Sequence, residues 1–216
     1  MTQTQYLSQM LNGNTQENII KAAEIIKNGG IVAFPTETVY GIGVDIFNEA
    51  AANRIFTVKG RDFNKPLAAH ISNIEMVQMV SPIIPSIFYE LAQIFLPGAL
   101  TMIIKAKDNI PNIVTAGTGT IAIRFPANDV CKNFIDAVGI PLAATSANIS
   151  GNNSATNPAE VLAELDGKID AIIDDGESVL KIASTVISLI GKPTVIREGA
   201  ISISEIEGKI GIKING

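Results

Sequence analysis

The chain has 216 residues, 47% of them hydrophobic and 17% charged, which is enough apolar material for one sizeable core. Its formal net charge of −5 argues against a surface built to grip a nucleic-acid backbone regardless of sequence. One cysteine and one histidine exclude a disulfide framework and a structural zinc site, so no protein-held metal is expected.

The opening MTQTQYLSQMLNGN has no basic stretch leading into an apolar one, and no run approaches the roughly 18 apolar residues of a spanning helix. A cytoplasmic protein without a membrane segment is expected, with its first dozen residues and the final GIKING loose. TQENIIKAAEIIKNGG then places Ile19, Ala22, Ala23 and Ile26 on one helical face and ends in a glycine pair. A strand, IVAFP, follows. NEAAANRIFTVK reads as a helix capped by Asn48, PLAAHI as a strand, and IPSIFYELAQIF as a helix stopped by Pro97 and Gly98.

ALTMIIKAK and TIAIRFP are strands separated only by a loop with room for a helical turn at Ile110 to Val114, which favours antiparallel pairing. After them come a helix from Asp129 to Val138 and the strand PLAATSA. The next helix is opened by NPAE, with Asn157 as cap, Pro158 in first position and Glu160 reaching back. AIIDDG, TVISLI and TVIRE read as strands, and Ile203 to Ile210 as a closing helix. This alternation describes an α/β fold with a mixed sheet, and no repeat or linker divides it. Cys131, at helical spacing with Phe134, Ile135 and Val138, reads as a core thiol.

No P-loop, HExxH, CxxC or GxSxG pattern is present, and GIGVDIFNEA lacks the third glycine of a dinucleotide fingerprint. What remains is a set of polar residues at strand ends, where open α/β sheets hold ligands. FPTETVYG bunches Thr36, Glu37, Thr38 and Tyr40; a surface turn explains it equally well. FTVKGRDFNKPLAAH brings Lys59, Arg61, Lys65 and His70 within a dozen residues. A basic helix end accounts for Lys59 and Gly60 but not for Lys65 and His70, which bracket an apolar strand.

Arg61, Arg124 and Arg197 each sit beside a strand, and a guanidinium offers the two-point fork that suits carboxylate or phosphate. PLAATSANISGNNSATNP adds Thr145, Ser146, Asn148, Ser150 and Ser154, donors without net charge; ASTVIS adds Ser184 and Thr185. Each segment alone has an ordinary structural reading. Together they describe a site for a polyanion plus a small polar molecule, with no protein nucleophile required.

GGIVAFPTETVYGIG, KGRDFNKPLAAHI, LPGALTMIIK, TIAIRFP, LAATSANISG, STVIS and VIREGAI, in this order and spacing, resemble the threonylcarbamoyl-AMP synthases of the YrdC/Sua5 family from about Ile19 to Ile201. The resemblance implies a twisted open mixed sheet with flanking helices and a central concave cleft. It also implies one YrdC-like domain over residues 1–216, its core at about 15–210, in the short form without the additional C-terminal domain of longer members. The implied reaction turns L-threonine, bicarbonate and ATP, with Mg²⁺, into L-threonylcarbamoyladenylate and pyrophosphate. Downstream tRNA threonylcarbamoyltransferase proteins would then modify adenosine 37 of tRNAs reading ANN codons, so tRNA is met only indirectly or weakly.

By position, Thr38, His70, Arg124, Ser184 and the backbone at Ala144 would bind threonine. Arg61, Lys65, Thr120, Ser146, Asn148, Ser154 and Arg197 would bind ATP, with Lys59 and Arg61 as the catalytic cations. Asp62 and Ala99 depart from the family pattern, which often has proline at both places. The glycine and small polar residues from Asn148 to Asn157 suit a segment that closes over a ligand. The competing reading is an RNA-binding module of the same fold without synthase activity. Three tyrosines and no tryptophan give it little material for base stacking.

Overall fold

The computed structural model describes residues 8–214. The first half holds β1 (Gln9–Asn12), α1 (Gln16–Lys27), β2 (Val32–Phe34), β3 (Gly41–Asp45), α2 (Glu49–Lys59) and β4 (Ala68–His70). A 3₁₀ turn at Ile74–Met76 leads into α3 (Val77–Val80), followed by α4 (Ser86–Phe95) and β5 (Leu100–Lys105). The second half holds α5 (Asn112–Thr115), β6 (Thr120–Arg124), α6 (Asp129–Val138), β7 (Leu142–Ser146) and α7 (Pro158–Leu165). It closes with β8 (Ala171–Asp174), β9 (Thr185–Ser188), β10 (Thr194–Arg197) and α8 (Ile203–Ile210).

The strands form one ten-stranded sheet in the order β1-β8-β2-β3-β7-β4-β6-β5-β9-β10. It is mixed: β4 and β6 run parallel, as do β5 and β9, whereas β3–β7, β4–β7 and β5–β6 are antiparallel. Helices form where the caps direct. The side chains of Asn48, Asn128, Asn157 and Ser202 accept hydrogen bonds from the third residue beyond them, at the starts of α2, α6, α7 and α8. Glu160 does reach back, but to the Thr156 N–H (2.7 Å) and hydroxyl (3.0 Å), one residue before the cap. α1 buries the expected Ile19, Ala22, Ala23 and Ile26.

Two local expectations are corrected, and one strand was not foreseen. The first dozen residues are not all loose: β1 pairs parallel with β8, and Leu11 is buried beneath it. A partner strand far away in sequence, Ala171–Asp174, supplies the order, which no local pattern reveals; residues 1–7 lie outside the described residues. Of the final GIKING, Ile214 is buried and its N–H bonds Glu207 Oε1 at 2.8 Å, while 215–216 lie outside the described residues. GIGVD is a central strand, β3, despite its glycines. The ring of Phe34 lies across it, and a Cβ on Gly43 or Gly41 would stand 2.9 or 3.0 Å from that ring, so side chains are excluded there by packing. Cys131 is a core thiol, pushed well above its ordinary pKa by burial. Among the described residues no helix is long and apolar enough to cross a membrane.

Candidate functional site

The sheet's centre is concave because its facing side chains are small. One cross-strand row runs Gly43, Ala144, Ala68, Ala122, Ile103 through β3, β7, β4, β6 and β5. The neighbouring row carries His70, Arg124, Thr101 and Val186 through β4, β6, β5 and β9. Alanine methyls make a low floor, and the next row raises polar groups beside it. The resulting cavity, about 360 Å³, is walled by Thr36, Thr38, Arg61, Ser146, Ser154 and Arg197 besides these rows.

Arg124 lines this cavity and is only 3% exposed. Its Nη2 donates to Glu37 Oε1 at 2.7 Å and approaches Thr38 Oγ1 at 3.5 Å, while its Nη1 has no partner among the described residues. Burial lowers its pKa and the Glu37 carboxylate opposes that, so the guanidinium stays charged. His70 stands beside it in register, edge-on to Phe34 at 5.6 Å. Although the residue borders the cavity, its Nδ1 is shielded and unpartnered among the described residues. Burial, helped by Arg124, lowers His70 to about 3, so the imidazole is neutral at physiological pH.

Thr101 Oγ1 and Ser184 Oγ share a hydrogen bond of 2.8 Å, and Arg197 donates to the Ser184 carbonyl at 2.8 and 3.2 Å. This chain of bonds joins Thr101, the strand neighbour of Arg124, to Arg197. Arg61 is pinned by bonds to the Lys65 and Pro66 carbonyls, 3.0 and 2.9 Å, which fix the loop into β4. Asp62 is turned to that loop, accepting from the Asn64 N–H at 2.9 Å, and is not on the cavity wall. Tyr40 is also structural: its hydroxyl donates to the Gly176 carbonyl (2.8 Å) and accepts from the Asp175 N–H (3.2 Å). Burial pushes its pKa up to about 12.

The structure therefore gathers Thr38, Arg61, His70, Arg124, Ala144, Ser146, Ser154, Ser184 and Arg197 on one wall. Lys59, Lys65, Thr120 and Asn148 are not on it. Lys65 is exposed and contributes its carbonyl to Arg61. Thr120 lies on the strand face of Ala122 and Arg124 but is bonded to Thr118 at 2.8 Å. Lys59 lies behind the wall. Its Nζ donates to the Ser146 carbonyl (2.5 Å) and the Asn148 carbonyl, with Asn148 Oδ1 at 3.5 Å. Burial and nearby Arg61 lower it to about 7. Three acceptors still match the three donors of an ammonium and not the two of an amine.

Lys59 is thus a fastener for the loop after β7, helped by Glu164, which accepts from the Ile149 N–H (2.5 Å) and Asn152 Nδ2 (3.1 Å). Sequence shows the charge of Lys59 and not the carbonyls around it, so this fastening contact was not foreseen beside the expected catalytic role. Lys59→Met should speed proteolytic cleavage within residues 147–153 and raise KM for ATP more than KM for threonine. Limited proteolysis and kinetics check this; an unchanged cleavage pattern contradicts the fastener role.

Thr36, Glu37 and Thr101 also carry the site; the first two were named in their polar cluster without a binding role, and Thr101 was not named. Thr36 and Glu37 lay visible in PTET, but Thr101 is placed only by strand register. Among the described residues no cluster of three or more His, Cys, Asp or Glu side chains could hold a metal ion.

A family model described as Sua5_yciO_yrdC, telomere recombination, matches residues 24–199. The chain is 42% identical over 191 residues to the threonylcarbamoyl-AMP synthase of Pyrococcus abyssi, covering 88% of this chain and 56% of that one. It is 36% identical over 199 residues to the putative threonylcarbamoyl-AMP synthase of Methanocaldococcus jannaschii, covering 88% and 92%. The crystal structure of P. abyssi Sua5 complexed with L-threonine superposes with a TM-score of 0.91 at 40% identity, covering 96% of this chain and 62% of that one. The chain thus spans a little over half the length of its Pyrococcus relative. On the matched motifs, the shared sheet and this extent of identity, the chain belongs to the Sua5/YciO/YrdC family.

Proposed function

We propose that this chain makes L-threonylcarbamoyladenylate and pyrophosphate from L-threonine, bicarbonate and ATP. The observation that carries the reading is the composition of the cavity over the alanine floor. A buried guanidinium whose Nη1 has no partner among the described residues, a neutral imidazole and a threonine hydroxyl share the wall with Arg61 and Arg197, the latter close enough to Arg124 for the two charges to oppose each other. The first set suits the carboxylate and amine of an amino acid, the second a phosphate chain. The P. abyssi relative's crystal structure with L-threonine supports the assignment of the amino acid.

In the reaction, the threonine ammonium and bicarbonate form the carbamate N–C bond, releasing one water and one proton. A carbamate oxygen then attacks the α-phosphorus as its bond to the departing pyrophosphate breaks. Arg124 would hold the carboxylate and Ser184 and Thr101 its surroundings, with the Ala144 backbone on the floor. His70, too weak a base at a pKa of about 3 to take the proton, would position the amino acid. Arg61 and Arg197 would offset charge gathering on pyrophosphate, with the hydroxyls of Ser146 and Ser154 as donors.

Mg²⁺ would enter with ATP, because the wall offers hydroxyls, guanidinium groups and an imidazole but no carboxylate. The cytoplasm is the proposed compartment, and transferase proteins that modify tRNA are the proposed recipients of the product. The RNA-binding alternative has less support, since the four arginines are committed: Arg54 to Asp170, the other three to the cavity. Pyrophosphate release is the test, with threonine and bicarbonate each supplied or omitted. The reading expects release only with both, and little with serine; release without threonine rejects it.

A further inference from the structure

We infer that Glu37 is a positioning residue for amino-acid binding, holding one edge of the Arg124 guanidinium from behind the cavity wall so that the opposite edge faces the ligand. The inference rests on the proposed placement of the amino acid carboxylate at Arg124.

Three observations converge on Glu37. Its neighbours Thr36 and Thr38 both line the cavity, but Glu37 does not. It turns inward, where its side chain is 10% exposed and Oε1 takes the Arg124 Nη2 at 2.7 Å. Its backbone is fixed from outside as well, because the Leu180 N–H donates to the Glu37 carbonyl at 2.8 Å. The carboxylate therefore has one place to be, and the fork it grips has one orientation.

What the pair leaves undone points to the ligand. Arg124 Nη1 and Glu37 Oε2 are both buried without a partner among the described residues. A buried ion pair satisfied on one side only is costly, and such orphaned groups are rare outside functional sites. Arg124 is on the wall although Nη1 itself is shielded, so a carboxylate that reached it through a small side-chain shift would complete the guanidinium's hydrogen bonding. The Glu37 charge offsets that of Arg124. The pocket then suits an ammonium–carboxylate zwitterion better than a simple anion, which a lone buried arginine would favour.

The flanking threonines add the complementary acceptor. Thr36 Oγ1 donates to the Val39 carbonyl at 2.6 Å, which uses its only hydrogen. The 2.9 Å contact between Thr36 and Thr38 must therefore be donated by Thr38. Thr38 is left as an acceptor beside the Arg124 donor. A donor and an acceptor fixed side by side on the wall match the carboxylate and ammonium of one α-amino acid.

Calorimetric binding of threonine, and separately of ATP, to the full chain tests this in the wild type, Glu37→Gln, Arg124→Gln and the double variant. Because Glu37 acts through Arg124, Glu37→Gln should weaken threonine about tenfold or more, leave ATP within about twofold, and add nothing in the Arg124→Gln background. Unchanged threonine affinity, an equal loss for ATP, or additive effects with Arg124→Gln would each overturn it. If Glu37→Gln gives no cooperative melt, Glu37→Asp keeps the charge but shortens the reach, and unaltered threonine affinity there overturns the inference equally. Absence of threonine binding to the wild type would bring down the functional reading and this inference together; wild-type binding that Glu37 does not influence would bring down this inference alone.

Discussion

Arg124→Ala should lower kcat/KM for threonine by roughly 10- to 150-fold, the loss of a charge-assisted hydrogen bond of about 1.5–3 kcal/mol. The same change should destabilise the fold, because it leaves the Glu37 carboxylate buried and unpaired, a situation that costs about 3–5 kcal/mol. The two effects are separable. Arg124→Met combined with Glu37→Gln removes both charges, so it should recover most of the stability and none of the threonine use. Arg61→Ala provides the contrast. Arg61 is half-buried and holds only two loop carbonyls, so its loss should fall on ATP and barely move the melting temperature. Kinetics in each substrate alongside thermal melts check all of these. Equal losses for both substrates in both single variants would show that the cavity is not divided as described.

Gly199→Ala is expected to be the most damaging single methyl addition. The added Cβ would meet the Ala183 carbonyl oxygen and lie 2.5 Å from the Ser184 carbonyl carbon, both backbone atoms that cannot swing aside. This close approach is held by the Gly199 N–H on Thr185 Oγ1 (2.9 Å) and the Ala200 N–H on the Ala183 carbonyl (3.0 Å). Forcing it open displaces Ser184, whose carbonyl anchors Arg197, and with it the start of β9. Overpacking of this kind costs about 1–3 kcal/mol, and here a binding defect for ATP should accompany it. Gly208→Ala is the control: it lies within α8 with nothing near its Cβ, so alanine there should be neutral or stabilise by up to about 1 kcal/mol. Gly199→Ala with wild-type melting and wild-type ATP use would contradict the placement of Arg197.

Where the chain announces structure through local chemistry, the sequence was enough. α6 and α8 have the boundaries that Asn128, Gly139, Ser202 and Gly211 dictate, because capping and left-handed termination act over a few residues. β3 was hidden for the opposite reason. Its glycines answer to a phenylalanine ring from β2, and a pattern reading sees only the glycines. The floor was half legible. The alanines of LAATS, PLAAH and TIAIR are plain in the sequence, but only register stacks Ala144, Ala68 and Ala122 into one row. Arg124 and His70 stood out as polar residues in apolar strands. Glu37 stood in a turn-like cluster whose pairing with Arg124 only the fold shows, and the carbonyls around Lys59 were invisible because a lysine ringed by carbonyls looks, in sequence, like a lysine awaiting phosphate.

The central claim concerns which atoms the cavity joins, and carbon-labelled bicarbonate tests it most directly. The purified protein would be given labelled bicarbonate, threonine and Mg-ATP, and the products separated and identified by mass. The proposed function requires one product that contains AMP, threonine and the labelled carbon, formed in step with pyrophosphate. An adenylate of threonine lacking the label would mean direct activation of the amino acid carboxylate, and would contradict the reaction proposed for this site.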